Sequence, residues 1–139
     1  MTVRAGACLR VAGIAALAAV LVLGKRKGWP NELTPPHSMP LVMLGTGILW
    51  FGWFGFNAGS IVFASAEESE MIAQFTTETG LVWLNTTLAT CAAMLGWLLV
   101  EKIRDGHATS LGAASGVVAG LVAITPACGS VSPLGAMAL

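Results

Sequence analysis

Charge is what this sequence has least of: seven Lys and Arg, seven Asp and Glu, and a net charge of zero over 139 residues. A water-soluble domain usually carries about a quarter charged residues to cover its surface, and a tenth cannot do so. The even balance offers no field for nucleic acid or for an acidic partner. Cysteine is scarce too. Cys8, Cys91 and Cys128 lie far apart and form no C-x-x-C, which argues against a membrane thiol oxidoreductase and leaves small buried thiols as the plain reading. There is no tyrosine, so apart from two His every aromatic ring comes from five Trp and five Phe. The N-terminal apolar stretch lacks the small residues of a signal cleavage site and is followed by Lys25, Arg26 and Lys27. It therefore reads as a membrane helix rather than a signal peptide.

What is present is apolar sequence in long runs. Residues 11–24, 33–66, 79–100 and 106–139 carry no Asp, Glu, Lys or Arg. Crossing about 30 Å of hydrocarbon takes roughly 20 apolar residues in a helix. The expectation is an all-α polytopic membrane protein with four transmembrane helices near 6–24, 39–64, 79–100 and 109–128. The first span is the weakest, because its charge-free part covers only about 21 Å at the helical rise. Arg10 has to snorkel to a surface there.

Three connections follow. "KRKGWPNELTPPHS" joins the first two spans, with Pro30, Pro35 and Pro36 enforcing a non-helical path. "SAEESEMIAQFTTETG" joins the next two as a solvated acidic loop, and "EKIRDGH" joins the last two. Lys25, Arg26, Lys27, Lys102 and Arg104 belong to the first and third connections, which share a side in a four-span chain. The positive-inside bias makes that side cytoplasmic. The N-terminus, the acidic loop and the C-terminal tail are then external, in a multi-pass cell-membrane protein. His37 and His107 fall in the basic connections and read as solvated. No enzyme chemistry, cofactor or metal is indicated.

Gly112, Gly116 and Gly120 recur at four-residue spacing in the fourth span, with Ser115 and Ala119 beside them. Such a stripe lets two helices approach closely in lipid. Gly55 and Gly59 repeat the pattern in the second span, inside "GWFGFNAGS" (52–60). In the same stretch Trp53, Phe56 and Ser60 stand at steps of three and four and share one helix face. That face suits core packing, and it also suits a path for a small cation, which ring faces attract when it is desolvated. Periodicity leaves both open. In "AITPACG" Pro126 ends the fourth helix or frees a carbonyl within it, beside the Thr125 hydroxyl. Asn85, Thr86, Thr87 and Thr90 read as joining helices rather than binding a solute.

"LGTGILWFGWFGFNAGS" (44–60), "NTTLATCAAMLGWLLVEK" (85–102) and "LGAASGVVAGLVAITPACG" (111–129) resemble consecutive blocks of the ammonium transporter (Amt/Mep/Rh) family, in the same order and at matching intervals. "LGKRKGW" resembles the basic loop before the first block, so the likeness runs from about residue 12 to the end. It implies part of an inverted-repeat bundle of about eleven helices that forms homotrimers with one pore per subunit. The chain resembles the fifth to eighth of those helices, about a third of a member. Ammonium or ammonia is then the solute and the lipid bilayer the setting. A cytoplasmic PII-type regulator is implied as a possible partner. By resemblance Ser60 matches the outer recruitment serine, Phe56 one of two gate phenylalanines, Trp53 the deeper pore tryptophan, and Thr125 a threonine near the pore. The family's "VVHINAG" aligns with "ACLRVAG", which puts Leu9 where the family has a pore histidine. Residues 1–11 depart from the family as a misassigned start or a disrupted frame would.

The resemblance implies transport by a longer polypeptide, with this segment not competent alone. Two readings from other classes stand beside it. A small four-helix transporter needs an ionisable residue in the membrane, and the second to fourth spans have no charged one. A remnant without transport is the other.

Overall fold

The computed structural model describes residues 2–28, 31, 32, 34–61 and 67–139, apart from the side chains of residues 2–6 and 9. Every regular element among them is helical: α1 (Thr2–Leu23), α2 (Met39–Ala58), α3 (Glu68–Asp105), α4 (Ser110–Ile124) and the short α5 (Pro133–Ala138). α2 and α3 are long and apolar enough to cross a membrane, whereas Ser110–Ile124 and the apolar part of α1, Arg10–Leu23, are shorter apolar helices.

Local chemistry sets the ends. Pro40 stands in the first turn of α2, where a missing N–H costs no intrahelical bond. α3 starts with Glu68 and Glu70 and finishes with Lys102 and Arg104, each sign placed against the opposite pole of the helix dipole. Gly106 closes it at φ 83°, its N–H bonded to the Lys102 carbonyl. Only glycine adopts that left-handed cap at little cost. Thr109 caps α4 by accepting from the Gly112 N–H. Glu101 then locks the α3–α4 turn, its carboxylate accepting from the Thr109 N–H at 3.0 Å and the Thr109 hydroxyl at 2.7 Å. The hydroxyl bond first, then the backbone bond, hold this carboxyl below its ordinary pKa.

Several boundaries differ from the sequence reading: α1 starts at Thr2, residues 101–105 of the third connection belong to α3, and α4 ends at Ile124 rather than 128. The acidic segment is not a loop over its described length, because residues 68–78 are the first turns of α3. The chain there has no helix breaker, and Gln74 donates to Glu78 one turn on at 2.7 Å. The second span ends at Ala58 rather than 64, with residues 62–64 outside the described set; Pro30 and residues 65–66 also lie outside it. Pro126 falls beyond Ile124, the end of α4, so of its two readings helix termination applies.

α3 is the spine of the bundle: α2, α4 and α5 all pack on it, and α2 also meets α4. The glycines of α4 make the α3–α4 contact close. A Cβ on Gly116 meets Met94 Cα at 2.8 Å, and one on Gly120 meets Thr90 Cα at 2.8 Å; one on Gly112 strikes the Glu101 carboxylate. Gly55 and Gly59 differ. A Cβ on Gly55 meets nothing within 4 Å, since Gly55 borders an open cleft beside Phe75, Thr79 and Trp83 of α3, and one on Gly59 meets only its own helix.

The apolar core is small, with Val82, Ala89, Ile124, Cys128 and Ala136 at its centre. Asn57, Asn85, Thr86, Thr90 and Thr125 are buried with it. Large apolar side chains such as Phe51, Leu95 and Ile103 point outward, the arrangement expected where lipid replaces water around helices tied by polar contacts. α1 makes no comparable packing, and its described side chains are exposed. Cys8 is therefore exposed and Cys91 half-buried; of the three thiols expected to be buried, only Cys128 is.

Candidate functional site

The residues of "GWFGFNAGS" occupy the last two turns of α2 and the turn after it. Trp53 reaches across the bundle. Its Nε1–H donates to Thr125 Oγ1 at 2.7 Å, and that hydroxyl donates onward to the Leu121 carbonyl at 2.6 Å. Thr125 is buried and its hydroxyl is committed to both bonds. It holds the indole and presents no free donor.

The held indole meets Phe56 edge-on, ring centroids 5.4 Å apart and planes at 61°. This is a favourable aromatic geometry. Phe56 is 39% exposed. It lines, with Ile48, Leu49, Gly52 and Trp53, an open groove of about 380 Å³. Ser60 donates to the Phe56 carbonyl at 2.7 Å, one turn further along. The Ser60 oxygen keeps lone pairs that can accept from a cation's N–H. Trp53, Phe56 and Thr125 thus touch in sequence, and Ser60 is joined to the same strip through the backbone.

The side chain of Leu9, the position aligned with the family's pore histidine, lies outside the described residues. Among the described residues no three His, Cys, Asp or Glu side chains come together as metal ligands would. The groove offers ring faces and backbone, which suit a small desolvated cation and give no group for acid–base chemistry.

Sequence reasoning left Asn57 without a role. It is buried, and its Nδ2 donates to Thr86 Oγ1 on α3 at 3.0 Å. Asn85 donates to the carbonyls of Cys128 and Val131, both at 2.8 Å, pinning the segment after α4 to α3. Thr86 and Asn85 join helices, whereas Thr87 and Thr90 bond to carbonyls of their own helix. Phe54 stacks on Trp83 with centroids 3.8 Å apart. A polar residue inside an apolar run is the signal that marks Asn57, and nothing local names its partner.

Fold and site together define a helical membrane bundle with an aromatic groove along one helix. The Ammonium Transporter Family model matches residues 6–139, and the chain belongs to that family. It is 58% identical over 128 residues to an ammonium transporter of Mycobacterium tuberculosis, covering 92% of this chain and 24% of that protein. With an ammonium transporter of Aquifex aeolicus it shares 48% over 126 residues, 91% of this chain and 26% of the relative. The crystal structure of Candida albicans Mep2 superposes with a TM-score of 0.75 at 37% identity, over 91% of this chain and 26% of that one. The chain spans about a quarter of the length of these relatives, less than the third expected from the motifs.

Proposed function

We propose that this chain is the part of an ammonium transporter that supplies one wall of the solute path. The observation that carries this reading is the Trp53–Thr125 bond, which sets the indole against Phe56 beside an open groove. In the proposed path an ammonium ion docks at Ser60. Stripping its water is costly in a low-dielectric site unless something replaces the water. The faces of Phe56 and Trp53 supply that replacement by cation–π attraction, and ammonia and a proton then pass inward. Trp53, Phe56, Ser60 and Thr125 are the path residues in this reading, and Gly112, Gly116 and Gly120 hold α4 against α3. Gly55 and Gly59 are left to contact helices supplied by the rest of a transporter.

The finer assignments belong to the same proposal. The basic connections face the cytoplasm and the acidic turns of α3 face out. The complete transporter is a homotrimer, and its cytoplasmic side takes a PII-type regulator. Family resemblance and charge asymmetry support these points.

The test is a hybrid in which residues 12–139 replace the matching stretch of the Mycobacterium tuberculosis transporter, made in cells without ammonium transporters. Uptake of labelled methylammonium is expected. Ser60→Leu should raise the half-saturating concentration about tenfold, the scale of one lost charge-assisted contact. A hybrid present in the membrane at parental amount without uptake overturns the reading in favour of a remnant.

A further inference from the structure

Among the described residues, two side-chain hydrogen bonds attach α2 to the rest of the bundle, and they lead to different partners. Trp53 donates to Thr125 beyond α4, and one turn on Asn57 donates to Thr86 of α3. Asn57 and Thr86 are 1% and 0% exposed. The Asn57 Oδ1 atom is also buried and has no partner, so the carboxamide is anchored through Thr86 alone.

At 3.6 residues per turn, Trp53 and Asn57 stand about 40° apart around α2, with Phe56 about 60° from one and 100° from the other. Two fixed points on one face determine how a helix is rotated about its axis. With side-chain tips roughly 5 Å from that axis, a rotation of about 20° moves a ring by about 2 Å. Trp53 touches Phe56 directly, but with that tether alone α2 can still turn about it, held only by packing such as the Phe54 stack on Trp83, along whose planes the rings can slide. The second tether removes that freedom.

We infer that the Asn57–Thr86 pair positions the Phe56 ring, and through it sets which small cation the groove admits. The role in selection rests on the reading of Phe56 as a path residue; the positioning does not. Asn57 and Thr86 touch no solute in this account. They act by holding α2 at one rotation, from a site where no water replaces a lost partner and an unpaired polar group stays unpaired.

The experiment reads geometry first. In the full 139-residue chain, with Cys8, Cys91 and Cys128 replaced by Ala, Phe56→Cys is exposed in membranes to a charged methanethiosulfonate reagent. Thr86→Val and Asn57→Leu should each change its modification rate by at least about threefold, the scale of one buried hydrogen bond. Thr86→Ser, which keeps the hydroxyl, should leave the rate unchanged. Where Thr86→Val does not accumulate, Thr86→Ala takes its place. An unchanged rate with the hydroxyl removed overturns the inference. The second reading is the ratio of half-saturating concentrations for ammonium and methylammonium in the hybrid. Fewer molecules in the membrane leave that ratio untouched, whereas a displaced ring should shift it about threefold. A changed rate with an unchanged ratio overturns the selection role. A hybrid without any uptake overturns the transport reading and selection with it, while the modification rate still decides the positioning.

Discussion

Trp53 and Thr125 lie 72 residues apart in the chain and meet through one hydrogen bond of 2.7 Å. The indole has one N–H to satisfy and the threonine has one hydroxyl, already donating to Leu121. Thr125→Val preserves shape but strands the indole N–H in a dry site. The expected loss is about 1 kcal/mol of stability, with up to 3 as the scale for an orphaned buried donor. Thr125→Ser should keep most of it. Unfolding of the hybrid in detergent micelles by graded SDS measures the difference, and equal midpoints for Val and Ser would show that the bond contributes nothing.

The glycines of α4 offer a contrast within one chain. Gly120→Ala places a methyl group 2.8 Å from Thr90 Cα, a backbone atom that cannot swing away. α4 must then move off α3, at a cost of about 1–3 kcal/mol. Gly116→Leu should be worse, since Met94 Cα stands equally close and the side chain is larger. Gly55→Ala should be neutral or slightly stabilising, because its Cβ enters open space and a helical alanine is better by about 1 kcal/mol. The same SDS titration, run on the 139-residue chain so that no further transporter helix covers Gly55, ranks the three, and loss at Gly55 as large as at Gly120 would disprove the packing assignment.

Glu101 predicts an acid dependence with a definite sign. Its carboxyl is held below the ordinary value by Thr109, so the folded state binds a proton less readily than the unfolded one. The contribution is complete above the unfolded-state pKa of about 4.3 and fades as pH falls through the lower folded value. Glu101→Gln should flatten that part of the stability profile and leave the profile above pH 6 parallel to the parent. A profile of unchanged steepness below pH 4 in the variant would remove Glu101 from the account.

How much of this was legible beforehand depends on whether the information was periodic or paired. Gly112, Gly116 and Gly120 announce their face because four residues return a helix almost to the same side. Trp53 and Phe56 do the same, whereas Ser60 falls in the turn after Ala58, where α2 has ended. Pairings leave no such trace: Asn57 is one polar residue in an apolar run, Thr86 is one of four in "NTTLAT", and their meeting is set by how α2 crosses α3. The start of α3 was misread for a different reason. Hydropathy ends a span at the first acids, but Glu68 and Glu70 are favoured at a helix start by the dipole. A span and a helix are different objects, and only the first is read from hydropathy. Cys8 was misplaced because hydropathy does not say which apolar helices find a neighbour.

Residues 1–139 made alone should not take up ammonium. Phe56 and Ser60 offer a wall on one side, and the groove beside them is open. A cation stripped of water there faces lipid over the rest of its surface, at a cost of many kcal/mol. Labelled methylammonium uptake in transporter-deficient cells, compared with empty vector, decides this. Uptake above that level that Ser60→Leu abolishes would mean that copies of the chain build a pore among themselves.

α3 runs 38 residues from Glu68 to Asp105, about 57 Å at 1.5 Å per residue. Leaning cannot hide such a rod in a layer about 30 Å thick, since that takes a tilt near 58° and membrane helices reach about 40°. At that limit the layer swallows about 39 Å and leaves about 18 Å, or roughly 12 residues, standing clear. The charge-free stretch 79–100, about 33 Å long, fills the layer, so what is left over falls at both ends: the turns from Glu68 to Glu78 with three carboxylates, and the short charged end after residue 100. The spine of the bundle is therefore also a mast. In the proposed transporter that negative tip is a fixed charge on the Ser60 side, one that draws cations from the surrounding water before they reach the rings.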